Sequence, residues 1–232
     1  MMNNFYKFLD NDELLEQFSK KIVDILENEI SKKGSATLLV SGGNTPKALF
    51  DKLSNINISW DKVKIGLCDE RWIDTKEKDS NENLVKTHLI KNYAKEAKFI
   101  SMYLENISIQ EAQKKCTQIY KEELYPFDIV ILGMGEDGHT ASLFPNNIKL
   151  EEAFDLNSDG LCIFMTPCSA PYDRMSLNLK AILSARNIFL HIEGKKKLKV
   201  YNEALENNDR FNTPIISVLK QEMKGIEVFY YE

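Results

Sequence analysis

The stretch Phe127-Asp-Ile-Val-Ile-Leu-Gly-Met-Gly-Glu-Asp-Gly-His-Thr-Ala-Ser-Leu-Phe-Pro145 runs from an apolar segment straight into a glycine-rich turn. From Ile129 to Leu132 every successive side chain is apolar, which marks a strand buried on both faces rather than one wetted at alternate residues. Strands of that kind belong to parallel sheets flanked by helices. Gly133, Gly135 and Gly138 formally match GxGxxG after a strand, so a dinucleotide site has to be weighed. Pro145 follows Gly138 too soon for a long uninterrupted helix, and no strand with an acidic end appears about 20 residues on, so that reading is rejected. What the glycines present instead is Asp137 and His139, two titratable side chains on one tight loop. A histidine titrates near neutral pH and can take a proton from water, and an adjacent carboxylate fixes its tautomer and raises its basicity. His139 is the candidate general base, with Asp137 as its partner.

Working outward, β-rich runs recur at Thr37 to Val40, Val63 to Cys68, Leu161 to Thr166, Asn187 to Ile192 and Ile226 to Tyr231, with helical stretches between them. Alternation of strands and helices implies crossover connections and a largely parallel sheet with helices on both faces. Upstream, Leu14, Phe18, Ile22, Ile25, Leu26 and Ile30 keep helical spacing, which predicts a helix over about residues 11 to 32 ending at Gly34. No repeat, linker or composition break divides the chain, so residues 1–232 are read as a single domain. The polar stretch Asp74 to Asn83 reads as a long loop leading into a helix capped near Ser80.

Two further constellations sit at strand ends. Ser41-Gly-Gly-Asn-Thr-Pro46 follows a strand and leads into a helix, with Thr45 as the expected cap and Pro46 at the first helical position. Glycines that let backbone amides approach a ligand, at the positive end of a helix, make an anion site from Ser41, Gly42, Gly43, Asn44 and Thr45. The spacing of a Walker loop is absent. Cys68-Asp-Glu-Arg-Trp72 brings charges to the end of an apolar strand, where open α/β sheets place ligands. Arg71 can grip a phosphate or carboxylate, and Asp69 or Glu70 can hold a sugar hydroxyl or orient the arginine.

Composition narrows the chemistry. A net charge of -5 without a basic face argues against nucleic-acid partners, and no apolar run approaches the roughly 20 residues of a membrane span. With no basic and apolar leader at the start, a cytosolic location is expected. Cys68, Cys116, Cys162 and Cys168 are too irregularly spaced for a disulfide framework or zinc site and read as reduced and mostly buried. His88 and His191 take structural readings, and with no HxH or HExxH neither metal nor cofactor is expected.

Taken together, Ser41 to Pro46, Asp69-Glu-Arg-Trp72, Asp79-Ser-Asn-Glu82, Gly133 to Pro145 and Arg174-Met-Ser-Leu-Asn178 resemble the 6-phosphogluconolactonase family over about residues 34 to 205. The resemblance implies a doubly wound α/β fold like that of glucosamine-6-phosphate deaminase. It also implies hydrolysis of 6-phospho-D-glucono-1,5-lactone to 6-phosphogluconate in the pentose phosphate pathway. It makes His139 the base, with Arg71 and Arg174 at cationic positions lining the site and Gly194 and Lys197 in the later Gly-x-x-Lys pattern. Asn44 departs from the serine usual in the family. The related deaminases resemble this chain in two loops but need a carboxylate five residues after the histidine, where Phe144 stands here. A sugar-phosphate sensor without catalysis would keep the phosphate loop and lose the titratable pair. The expected mechanism holds the 6-phosphate on Gly42 to Thr45 with Arg174 and Lys197, while His139 activates water and Arg71 or loop amides stabilise the oxyanion. The partner expected is thus a phosphosugar lactone, bound by a monomer or small homo-oligomer.

Overall fold

The apolar runs become strands in a computed structural model that describes residues 3–168 and 170–232. The strands are β1 (Asn4–Phe8), β2 (Ala36–Val40), β3 (Val63–Leu67), β4 (Asp69–Arg71), β5 (Lys98–Phe99), β6 (Ile129–Leu132), β7 (Cys162–Met165), β8 (Arg174–Leu177), β9 (Asn187–Glu193) and β10 (Glu227–Tyr231). Between them lie helices α1 (Asn11–Lys33), α2 (Lys47–Ser54), α3 (Asn81–His88), α4 (Ile109–Glu123), α5 (Leu150–Ala153), α6 (Leu179–Ser184), α7 (Lys195–Glu206) and α8 (Ile216–Leu219).

Seven strands form one parallel sheet in the order β1-β10-β9-β6-β2-β3-β5. Strands β2 and β6 are buried along their whole length, so both faces of the sheet centre are covered. From β2 the chain winds outward through β3 to β5, then returns to β6 on the other side and winds outward the opposite way. This doubly wound order reverses between β2 and β6, and the crevice beyond the carboxyl ends of two such strands is where open α/β sheets bind ligands. Helix α1 starts on the Asp10 side chain, which accepts from the Asp12 amide at 2.9 Å, and stops at left-handed Gly34 (φ 83°). Its Phe18 packs on Phe189 and Phe229, fixing α1 against β9 and β10.

Two expectations need correction. The run Leu161 to Thr166 is strand β7, but it joins a second, antiparallel sheet in the order β4-β8-β7 rather than the parallel one. Its partner β8 begins at Arg174, too soon after Met165 for a crossover helix of the usual length. As expected, Asp69 to Arg71 follow the end of an apolar strand, β3, and they pair with β8 in that small sheet. Finally, Thr45 does not cap α2: the helix begins at Lys47 after Pro46, and no side chain caps it. Of the cysteines, Cys68, Cys116 and Cys162 are buried, Cys168 is exposed, and all are free. No helix among the described residues is long and apolar enough to cross a membrane.

Candidate active site

At the crevice between β2 and β6 lies a cavity of about 220 Å³. The Ser41 amide still donates to the Ile131 carbonyl at 3.1 Å, so the two loops leave the sheet at one level and diverge around the cavity. Its wall includes Ser41, Gly42, Gly43, Asn44, Thr45, Asp69, Arg71, His139 and Lys197, all anticipated from sequence. Asp137 and Arg174 stand behind this wall rather than in it.

The histidine loop is shaped by close approach. His139 Nδ1 lies 2.5 Å from Asp137 Oδ1, which also accepts the His139 amide at 3.1 Å. A Cβ at residue 135 would sit 2.2 Å from His139 Nδ1 and 2.5 Å from that carboxylate oxygen, so only glycine lets the pair fold back over the loop. Partial burial opposes ionisation of Asp137, but hydrogen bonding and charge from His139 outweigh it and hold the carboxyl below its ordinary range. Because Nδ1 is engaged, Nε2 is the nitrogen left for proton transfer. Phe144 stacks on the imidazole with ring centroids 4.5 Å apart. The position that would need a carboxylate for deamination is thus an apolar ring packed on the histidine.

Asp69 and Glu70 separate sharply. Asp69 is fixed under the cavity: Ser142 Oγ donates to its Oδ2 at 2.6 Å, and Asn81 Nδ2 donates to its carbonyl at 2.8 Å. Glu70 is fully buried and accepts from the amides of Arg71, Asn81 and Glu82 at 2.7 Å each and from Ser80 Oγ at 2.9 Å. It clamps the start of α3, and burial pushes its pKa up against those bonds. Of the two carboxylates, only Asp69 lines the cavity.

The arginines meet across the small sheet, where Arg71 is the register partner of Arg174. Like charges directly opposed repel, and the carboxylates of Asp69, Glu70 and Asp79 offset that repulsion at Arg174. Arg71 Nη1 donates to the Asp79 carbonyl, whereas Arg174, 5% exposed, keeps a buried Nη1 with no partner. Burial first, then the Arg71 charge, lowers the Arg174 pKa. At the other end, Lys197 Nζ donates to Thr45 Oγ1 at 3.3 Å, bringing the first turn of α7 to the Gly-Gly loop. Burial lowers its pKa against the pull of Glu193 and Glu136. Arg174 thus stands opposite Arg71 in the small sheet, next to the cavity lining rather than in it.

Sequence reasoning missed two lining residues, Asn81 and His191. Asn81 lay inside a quoted motif, but its contact with Asp69 depends on β4 turning away from the sheet. His191 was hidden in an apolar strand. By contrast, His88 keeps its structural reading, with Nδ1 3.1 Å from each carboxylate oxygen of Asp51. Among the described residues, no group of three or more His, Cys, Asp or Glu converges as metal ligands would.

The family model described as glucosamine-6-phosphate isomerases/6-phosphogluconolactonase matches residues 9–226. A 6-phosphogluconolactonase of Mesorhizobium japonicum is 37% identical, covering 98% of this chain and 94% of the relative. One from Neisseria meningitidis is 34% identical over 98% of this chain and 99% of its own. The crystal structure of a 6-phosphogluconolactonase from Shewanella baltica superimposes with a TM-score of 0.95 at 39% identity, covering 99% of this chain and 98% of that one.

Proposed function

The chain belongs to the glucosamine-6-phosphate isomerase/6-phosphogluconolactonase family, and on that premise we propose how its cavity opens a lactone. It hydrolyses 6-phospho-D-glucono-1,5-lactone to 6-phosphogluconate. The 6-phosphate lies at the Lys197 end, on the amides of Gly42 to Thr45, which places the carbonyl carbon C1 towards His139 and Arg71. Water attacks C1 as His139 Nε2 takes its proton. Asp137 holds the opposite nitrogen and favours the imidazolium that forms. Negative charge gathers on the former carbonyl oxygen and is met by Arg71, whose guanidinium is set by Asp79 and backed by Arg174. Collapse breaks the bond from C1 to the ring oxygen, and His139 returns the proton to that oxygen as it leaves as a hydroxyl. Asp69 accepts from a sugar hydroxyl.

The observation that carries this mechanism is the 2.5 Å contact of Asp137 with His139 Nδ1 on the cavity wall. His139→Ala should lower kcat by about 10² to 10⁴, the usual share of general-base assistance, with KM little changed. A folded variant with near wild-type kcat would remove histidine from the chemistry.

A further inference from the structure

The phosphate end contains a side chain that packing alone does not explain. His191 lies near the end of β9, is 5% exposed, and lines the same cavity as Gly43, Thr45 and Lys197. Its ring meets the edge of Phe18 at 5.4 Å between centroids, within the aromatic cluster that seats α1 on the sheet. Contact with Phe18 requires only an apolar ring, whereas the Nδ1 of this imidazole is buried with no hydrogen-bond partner. Buried polar atoms are rarely left so, and the exceptions ask for a partner supplied by function.

We propose that His191 is a phosphate-reading residue, its ring N–H donating to a non-bridging oxygen of the substrate's 6-phosphate beside Lys197 and Thr45. The proposal rests on the assignment of the phosphate to the Gly-Gly loop. Chain geometry supports it, because β9 passes through Gly194 directly into α7, whose first turn returns Lys197 to Thr45. One strand-to-helix junction thus delivers both groups to one ligand. Their charges divide the work. Burial, and then the Lys197 charge, holds the imidazole pKa down to about 3, so the ring is neutral at working pH and carries one N–H. Lys197 supplies the positive charge, and His191 adds a directed bond without a second cation that would repel it in the empty site. A doubly ionised phosphate offers only acceptors, so it suits a lone donor on a rigid ring.

The test joins stability to affinity. His191→Phe keeps the ring against Phe18 and removes the unpartnered atom, so its melting temperature should equal or exceed that of wild type. Its Kd for 6-phosphogluconate should rise roughly 10- to 100-fold, the span expected for one hydrogen bond to a charged group. The preference in kcat/KM for phosphorylated over unphosphorylated lactone should fall by the same factor, carried by KM. His191→Asn, whose amide nitrogen sits at the reach of the imidazole Nδ1, should recover part of the affinity even if it is less stable. His191→Phe binding 6-phosphogluconate as tightly as wild type would overturn the inference and make His191 a core residue. A Lys197→Met variant measured alongside separates the two levels: unchanged affinity there as well would bring down the phosphate assignment itself.

Discussion

Gly42→Ala tests how the phosphate loop is held. A Cβ at residue 42 would lie 1.9 Å from Asn81 Oδ1 and 2.4 Å from Asn81 Cγ. Ordinary contact needs roughly 3.5 Å, so one side must retreat by about 1.5 Å. Asn81 cannot retreat freely, because it is 2% exposed and its Nδ2 donates to the Asp69 carbonyl at 2.8 Å. Overpacking of this kind costs about 1–3 kcal/mol, and a strained or broken buried hydrogen bond adds about 1 kcal/mol. A total near 2–4 kcal/mol should lower the melting temperature of a chain of this size by roughly 4–16 °C. The loop that yields instead would carry its amides off the phosphate, so KM for the phosphorylated lactone should rise as well. The decisive assay is a double-mutant cycle by thermal or urea unfolding. Asn81→Ala removes the obstructing group, so Gly42→Ala should cost far less in that background, with a coupling of at least about 1 kcal/mol. Costs that add to within about 0.5 kcal/mol would refute the argument, as would a Gly42→Ala protein as stable as wild type.

Gly43 faces open space but has φ +96°, so Gly43→Val fails through the backbone. Its KM should rise strongly for the phosphorylated lactone and little for unphosphorylated gluconolactone; equal effects would mean the loop does not read phosphate. The depressed Asp137 pKa predicts a sign for acid stability. That group stabilises the fold above its unfolded value, about 3.9, and the increment disappears as pH falls through the lower folded value. Asp137→Asn should therefore narrow its gap to wild type in unfolding titrations below pH about 4, and a gap that stayed constant would count against the ion pair. Lactone hydrolysis should persist in excess chelator, and loss that zinc or magnesium restored would overturn the metal-free mechanism.

The parts of the site that could be read from sequence are those written locally. Asp137 and His139 share one loop, and their glycines announce a tight turn; Gly42 and Gly43 announce another. The parallel sheet was legible because strands such as β6 are apolar at every position. Arg71 facing Arg174 was not, because it depends on antiparallel pairing between strands about a hundred residues apart, each only three or four residues long. The same pairing divides Asp69 from Glu70, since alternate residues of a strand point to opposite faces. His191 was obscured for another reason: in a run such as Ile188-Phe-Leu-His-Ile192, a buried histidine looks like core until the cavity beside it is visible.

Strand β1 pairs with β10 alone, and the two partners at the start of that ladder, Asn4 and Glu227, lie more than 200 residues apart in the chain. During synthesis at roughly 5–20 residues per second, β1 therefore has no partner for on the order of ten seconds or more. Helix α1 can form at once, and β2, β3 and β6 can gather into the sheet centre with the binding crevice between them. The edge must wait for β10. A ribosome-bound chain arrested before residue 227 should therefore protect the amides of β2 and β3 from hydrogen exchange while those of β1 exchange freely.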